Sequence, residues 1–376
     1  MAQRPSFRLG IEEEYLLVDP TTKDLIRQPD PRFMEVCQDE IKGQVVNEYL
    51  QCQVEVGTKP NANVTESYKE LLSLRTTLSQ ICSDFGYAPI AASTHPFAAW
   101  KDQSHTPKER YNTLTSDLGL TARRLLICGM HIHIEIEDEE LRIDLMNQAS
   151  YFLPHLLALS CSSPFWEGED TAHSSYRLAV FDTLPRTGLP DRLDSHSSYV
   201  DLINSLVSTK CIEDSSKIWW DIRPSAKFPT LEQRITDICS NLRDTMGLVA
   251  TYQSLIAYLY RLRASNQTWR PYHRSLITEN RWKAQRYGVS GDLIDLGKNK
   301  LVPFEDLTEE IIDLLWYDAT ELSCEDYLVR IRDIAKNGSS SDKQRKIYQD
   351  ALDEGNSSLE SSKKVVDFLM NEFLRT

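Results

Sequence analysis

The run Met130-His131-Ile132-His133-Ile134-Glu135-Ile136 constrains the fold more than any other part of the chain. Apolar residues alternate with His131, His133 and Glu135, a pattern that suits a strand, in which successive side chains point to opposite faces. One face packs into a core, and the other carries imidazoles and a carboxylate. Four further segments read the same way. Gly10-Ile11-Glu12-Glu13-Glu14-Tyr15 sets Glu12 and Glu14 on one side, and Gln51-Cys52-Gln53-Val54-Glu55-Val56 offers Glu55. Trp219-Trp220-Asp221-Ile222-Arg223 offers Asp221 and Arg223, and Leu231-Glu232-Gln233-Arg234-Ile235 offers Glu232 and Arg234. Joined in one sheet, these strands predict a polar face of carboxylates, imidazoles and guanidiniums suited to a divalent metal and phosphate.

The chain of 376 residues, 41% hydrophobic and 26% charged, is long enough for one large domain or two smaller ones. Its formal net charge of −14 argues against a general polyanion-binding surface, so nucleic acid is not an expected partner. Cysteines 37, 52, 82, 128, 161, 211, 239 and 324 lack the short paired spacing of a zinc or redox motif and read as reduced, mostly buried thiols. The segment from Met1 to Arg8 lacks the apolar core of a signal peptide. The most apolar stretch, Tyr151 to Leu159, is far shorter than the ~20 residues of a spanning helix and contains Pro154 and His155. The expectation is a soluble cytoplasmic protein without a membrane partner.

Between the strands the period changes. Residues 62–85 predict a helix with Tyr68, Leu71, Leu72, Arg75 and Leu78 on one side, and 141–159 a helix bent at Pro154. Residues 237–263 predict another, with Ile238, Leu242, Met246, Val249 and Leu255 inward. A short strand is expected from Ala88 to Ser93. The stretch from Ser162 to Pro190, with Trp166, Asp170, Tyr176 and Arg177, is polar and punctuated by proline and glycine, and is expected to form a lid over a site. Asn280 to Gly288 reads as a helix end with a glycine stop, either simply solvated or contributing to the site. The division expected is a catalytic core over residues 1–303 and a helical extension over 304–376, packed on the same domain.

Each motif has a plainer reading. Acidic residues at alternate strand positions commonly face solvent, but several carboxylates brought together repel unless a cation separates them, and oxygen-rich clusters suit magnesium or manganese. A His-x-His pair fits zinc, a nucleotide contact or two core histidines. Arg223 and Arg234 either balance nearby acids or fork onto a substrate carboxylate or phosphate.

In order along the chain, Gly-Ile-Glu-Glu-Glu-Tyr at 10–15, Gln-Val-Glu-Val at 53–56, Gly-Met-His-Ile-His at 129–133, Trp-Trp-Asp-Ile-Arg-Pro at 219–224, Leu-Glu-Gln-Arg at 231–234 and Asn-Arg-Trp-Lys-Ala at 280–284 resemble the type 2 glutamate–cysteine ligase family. The match includes its carboxylate–amine ligase branch and runs through roughly residues 7–300. The resemblance implies an α+β, glutamine synthetase-like fold, with an antiparallel sheet forming an active-site funnel and helices packed behind it. Position by position it implies Glu12, Glu14, Glu55, His131 and Glu232 as magnesium ligands. His133, Arg177 and Arg223 are expected beside the nucleotide, and Arg223 and Arg234 on the transferring phosphoryl group or the substrate carboxylate.

The implied activity is ATP-dependent joining of a carboxylate to an amine through an acyl phosphate, with magnesium, or manganese in its place. Glutamate and an amine such as cysteine, giving γ-glutamylcysteine for glutathione biosynthesis, are the implied small-molecule substrates. Two positions depart from the pattern. Glu135 stands where the family commonly has a small residue, which puts an extra carboxylate near the site, and Glu13 faces away from the metal with no assigned role. The rival readings are a zinc-dependent amidohydrolase-type enzyme and a non-catalytic nucleotide-binding family member. The first needs further histidines, whereas the chain has eight in all and none beyond His133 in a comparable strand motif. The motifs leave the amine and any homo-oligomerisation open.

Overall fold

The computed structural model describes residues 4–376. Its centre is one antiparallel sheet built from β1 (Leu9–Val18), β2 (Val45–Asn47), β3 (Gln53–Gly57), β4 (Ala88–Ile90), β5 (Met130–Glu135), β6 (Ile222–Pro224) and β7 (Thr230–Gln233). The order across it is β6-β7-β5-β1-β3-β2, and β4 continues along the same edge of β1 that β5 leaves. Directly opposed residues of an antiparallel pair share a face, so the register places the chemistry. Arg223 lies opposite Glu232, Glu232 opposite His133, His131 opposite Glu12, and Glu14 opposite Glu55.

The other face is core. Leu9, Ile11, Tyr15, Val54, Val56, Met130, Ile132, Ile134 and Leu231 are buried there. Two long helices cover them. The Val64–Asp84 helix is opened by Asn63, whose side chain accepts from the Glu66 N–H, and it turns Leu71, Leu74 and Leu78 inward. The Leu242–Ala264 helix is buried at almost every position up to Leu259, as befits a helix enclosed on all sides. The expected bend near Pro154 is a short 3-10 turn over Ser150–Phe152, between the Glu139–Ala149 and Leu153–Ser160 helices.

Glu13 points into this core, and its role is mechanical. Its carboxylate receives two bonds from Arg75, at 2.7 and 2.9 Å, one from Tyr15 Oη at 2.5 Å and one from Thr245 Oγ1 at 2.9 Å. Arg75 and Glu13 are both fully buried, and the guanidinium also donates to the carbonyls of Phe373 and Cys239. Beyond Phe304 the chain is helical. Its last helix, Ser358–Glu372, inserts Val365, Val366 and Leu369 into the same core, and Phe373 packs edge-on against Tyr15. Among the described residues no helix is long and apolar enough to cross a membrane. All eight cysteines are free, and all but Cys211 are buried.

Two buried histidines away from the sheet give the fold a pH dependence. His95 Nδ1 accepts from the N–H groups of Phe97 and Ala98, and Nε2 faces the Lys23 carbonyl at 2.9 Å, which requires the neutral ring. Burial pulls its pKa down to about 4, and burial does the same to His155. An unfolded histidine titrates near ~6.5, so the stability contributed is complete above that pH and is lost as pH falls towards 4. The expected loss is about 3 kcal/mol per histidine at pH 4. Urea unfolding between pH 7 and 4.5 should show it, with a shallower slope in His95→Gln; an unchanged slope would remove His95 from the account.

Candidate active site

A cleft of about 1130 Å³ opens over the polar face of the sheet. The five residues expected to hold metal all line it, but they divide between two groups. Glu12, His131 and Glu232 place ligand atoms within 4.8 Å of one another, and Glu14, Glu55 and Glu48 do the same. Glu48 is absent from the expected set. It follows β2, and since Val46 lies opposite Glu55, two residues further on Glu48 returns to the Glu55 face.

The electrostatics of the two groups differ. Glu14 is pushed up to about 8 by its burial and by Glu48, and Glu55 is raised well above the carboxylate range by burial together with Glu48, Glu12 and Glu14. Three carboxylates crowd together here, and Arg177 and Arg234 offset the rise at Glu14 only in part. In the other group, burial would raise Glu12, but hydrogen bonding to His131 and His133 outweighs it and holds the carboxyl well below its ordinary value. His131 Nδ1 is 3.0 Å from Glu12 Oε2, and burial and Arg234 bring that imidazole down to about 4. His133 is tied by Nδ1 to Thr230 Oγ1 at 2.9 Å. Nε2 of both histidines is buried beside a carboxylate, His133 Nε2 at 3.4 Å from Glu12 Oε1 and His131 Nε2 at 3.9 Å from Glu14 Oε1.

Glu232 is within ligand range, yet both its oxygens already accept from arginines. Arg223 grips it through Nε and Nη2 at 2.9 and 3.1 Å, and Arg234 Nη1 also donates to it. As a metal ligand it would share an oxygen with a guanidinium. The two arginines are not equivalent. Arg223 spends Nη1 on the carbonyls of Ser216 and Ile218, so it holds the loop before β6 against β7. Arg234 keeps Nε unpartnered in the cleft wall.

Several expectations are corrected by position. Asp221 does not join the cleft; it is buried against Arg281, which also pairs with Asp182, so the Asn280–Ala284 motif braces β6 from behind. Glu135 accepts from Ser6 Oγ at the end of β5 and leaves both carboxylate groups uncrowded. The Ser162–Pro190 stretch is a fixed wall in its first half rather than a lid. Ser162, Ser163, Ser174 and Ser175 are all buried, and the Asp237 carboxylate accepts from the Ser162 N–H and from the hydroxyls of Ser163 and Ser175. This wall delivers Arg177 to the cleft.

The donor chemistry fits magnesium or manganese. Oxygen ligands dominate, His131 supplies one imidazole nitrogen, and the crowding of carboxylates in the Glu14 group is what a hard cation relieves. A zinc hydrolase site fits poorly, because His131 and His133 are the only imidazoles among the described residues lining the cleft.

Comparison with known proteins places this geometry in a class. The fold is shared with the glutamate–cysteine ligase of Francisella tularensis, solved in complex with AMP: TM-score 0.68 over 98% of this chain and 89% of that one, at 12% identity. The α+β, glutamine synthetase-like architecture is the fold the two share, and the family match makes the protein a ligase. The model of glutamate–cysteine ligase family 2 matches residues 8–363, and the chain belongs to that family. A relative from Jannaschia sp. (strain CCS1) is 53% identical over 98% of this chain and 97% of its own. One from Rhodospirillum rubrum is 50% identical over 98% and 96%. Both are provisionally named glutamate–cysteine ligase 2.

Proposed function

We propose that this carboxylate–amine ligase uses ATP, with glutamate as the acid and cysteine as the amine. The observation that carries the reading is the pair of carboxylate groups set in register on one sheet face beside Arg234. Glu12 and His131 in one group, with a shared oxygen of Glu232, and Glu14, Glu48 and Glu55 in the other, would each hold a magnesium ion. Magnesium in such a setting binds phosphate oxygens and neutralises charge during phosphoryl transfer. In the first step an oxygen of the acid's carboxylate forms a bond to the terminal phosphorus of ATP, and ADP leaves with the electron pair of the broken bond. In the second, the amine nitrogen bonds to the carbonyl carbon, phosphate leaves, and the nitrogen gives up a proton. Arg234 stabilises the anionic oxygens of both steps through its free donors.

The test is incubation of the protein with ATP, magnesium, glutamate and a panel of amines, reading ADP, phosphate and product mass. Thermal scans give a second readout. Magnesium should raise the melting temperature and magnesium with ATP raise it further, since a ligand at one hundred times its dissociation constant contributes about 2.7 kcal/mol. Glu12→Gln should weaken the response, and Glu321→Gln on an exposed helix end should not. A response to zinc alone, or one unchanged in Glu12→Gln, would favour the hydrolase reading; nucleotide binding without ADP release would favour a non-catalytic member.

A further inference from the structure

A second cavity, of about 60 Å³, lies outside the catalytic cleft and shares no lining residue with it. Part of its lining is aromatic: Tyr151 packs against Trp269 and Tyr272, with ring centroids 5.2 and 5.3 Å apart. Its charged residues are Arg192, Arg270 and Arg274, and among the described residues no carboxylate lines it. In a chain of net charge −14, three guanidiniums around one cavity run against the general balance.

The neutral polar groups of the wall are spent inside the protein. Asn147 exchanges hydrogen bonds with the Leu193 backbone, Gln148 accepts from the Trp269 N–H and donates to Asp144, and the Ser150 hydroxyl donates to the Met146 carbonyl. The guanidiniums keep donors to spare. Arg270 lies over the Tyr272 ring at 5.4 Å, and neither it nor Arg192 forms an ion pair among the described residues. Arg274 donates to the Leu189 carbonyl at 2.5 Å and has Asp191, whose side chain is 82% exposed, 3.4 Å from Nε. Two acids of the surrounding elements are engaged elsewhere, Asp144 by Arg263 and Asp295 by Lys298 and the Gly297 N–H. The volume sets the size of the ligand. One water needs about 10–15 Å³ of such space, so this cavity seats roughly four to six atoms of that size, enough for a phosphate group and too few for a nucleoside. Guanidinium forks match phosphate oxygens in charge and geometry.

We propose that this cavity binds a phosphate group, as the free ion or as the head of a small monoester, at a site separate from the catalytic cleft. Its place in the fold gives occupancy a consequence. Arg192 follows the Thr187–Gly188 strand, which pairs in parallel with Trp219–Trp220, and the Gly188 carbonyl accepts from the Asp221 N–H at 2.9 Å. Arg274 opens the Arg274–Tyr287 helix, whose Arg281 holds Asp221 and Asp182. A phosphate held by Arg192 and Arg274 ties together the two supports of Asp221, the residue that leads into β6 and Arg223. Trp219, on the strand between them, also lines the catalytic cleft.

The test is hydrogen exchange and thermal scanning of the full chain, without nucleotide or magnesium, against inorganic phosphate, glycerol 3-phosphate and acetate, with sodium chloride at matched ionic strength as the blank. Phosphate should raise the melting temperature by about 1–3 °C and slow exchange in peptides covering residues 187–193 and 219–222. Arg192→Gln and Arg270→Gln change exposed residues without ion pairs, so the unliganded melting temperature should hold. Each should weaken phosphate binding about tenfold, and the pair should abolish the protection. Arg234→Lys, in the catalytic cleft, should leave the protection intact. Protection by inorganic phosphate supports the free ion as ligand, and protection by glycerol 3-phosphate alone supports a monoester. Protection that survives the double variant, vanishes in Arg234→Lys, is reproduced by acetate or sodium chloride, or is absent with both phosphates would overturn the proposal.

Discussion

Arg75→Leu is expected to destabilise the protein by about 3–5 kcal/mol, the cost of leaving one partner of a buried ion pair uncompensated. Glu13 would keep Tyr15 and Thr245 as donors but lose its countercharge in a fully buried site. The Phe373 and Cys239 carbonyls would each lose a hydrogen-bond donor. Urea unfolding of Arg75→Leu, Glu13→Gln and the double variant forms a double-mutant cycle, and the coupling should be strongly positive because neither group has another charge to turn to. A loss under about 1 kcal/mol for the single variant, the range of an exposed pair, would show that this network does not anchor the sheet.

The largest effect on turnover is expected from Arg234→Lys. A lysine ammonium cannot reproduce a guanidinium fork that reaches Glu232 with one arm and leaves Nε for substrate, so kcat should fall by roughly one to three orders of magnitude with little change in melting temperature. Arg223→Lys should show the opposite balance. Its donors hold Glu232, Ser216 and Ile218, and losing them loosens the loop before β6. Stopped assays for ADP and thermal scans on both variants separate the two roles; the reverse pattern would exchange them.

The strand pattern was legible because its period carries the face of every side chain. His131 and His133 against Ile132 and Ile134, and Glu12 and Glu14 against Ile11, sort themselves without knowledge of the neighbours. The ordered motifs added the fold. Glu48 escaped because it lies just past a strand of three residues, and only recognition of the β2–β3 hairpin puts it opposite Gln53 and on the Glu55 face. Asp221 was misplaced by the same parity rule. It precedes β6, where the chain bends away, and Arg281 from a distant helix captures it. Glu13 had no reading from local sequence because its partner is 62 residues away. The wall from Ser162 to Ser175 read as a loop since its order comes from Asp237, a single carboxylate far along the chain.

Three consecutive glutamates in β1 have a consequence for how this gene can vary. A strand slipped by one residue exchanges its two faces, and such a slip is normally punished by charge in the core. Here a slip in either direction would keep a glutamate at the Glu13 place but would also carry Glu14 to the buried Tyr15 place or Glu12 to the buried Ile11 place, so that a second carboxylate enters the core. Of the three alignments, only the native one buries a single glutamate, the one that Arg75 holds. The alignment is set by shape and by one grip: Ile11 and Tyr15 in the core, and Arg75 closed on Glu13. Insertions or deletions between Leu9 and Val18 should accordingly be far rarer among natural variants than substitutions there, since they move every carboxylate past the one guanidinium that tells the three apart.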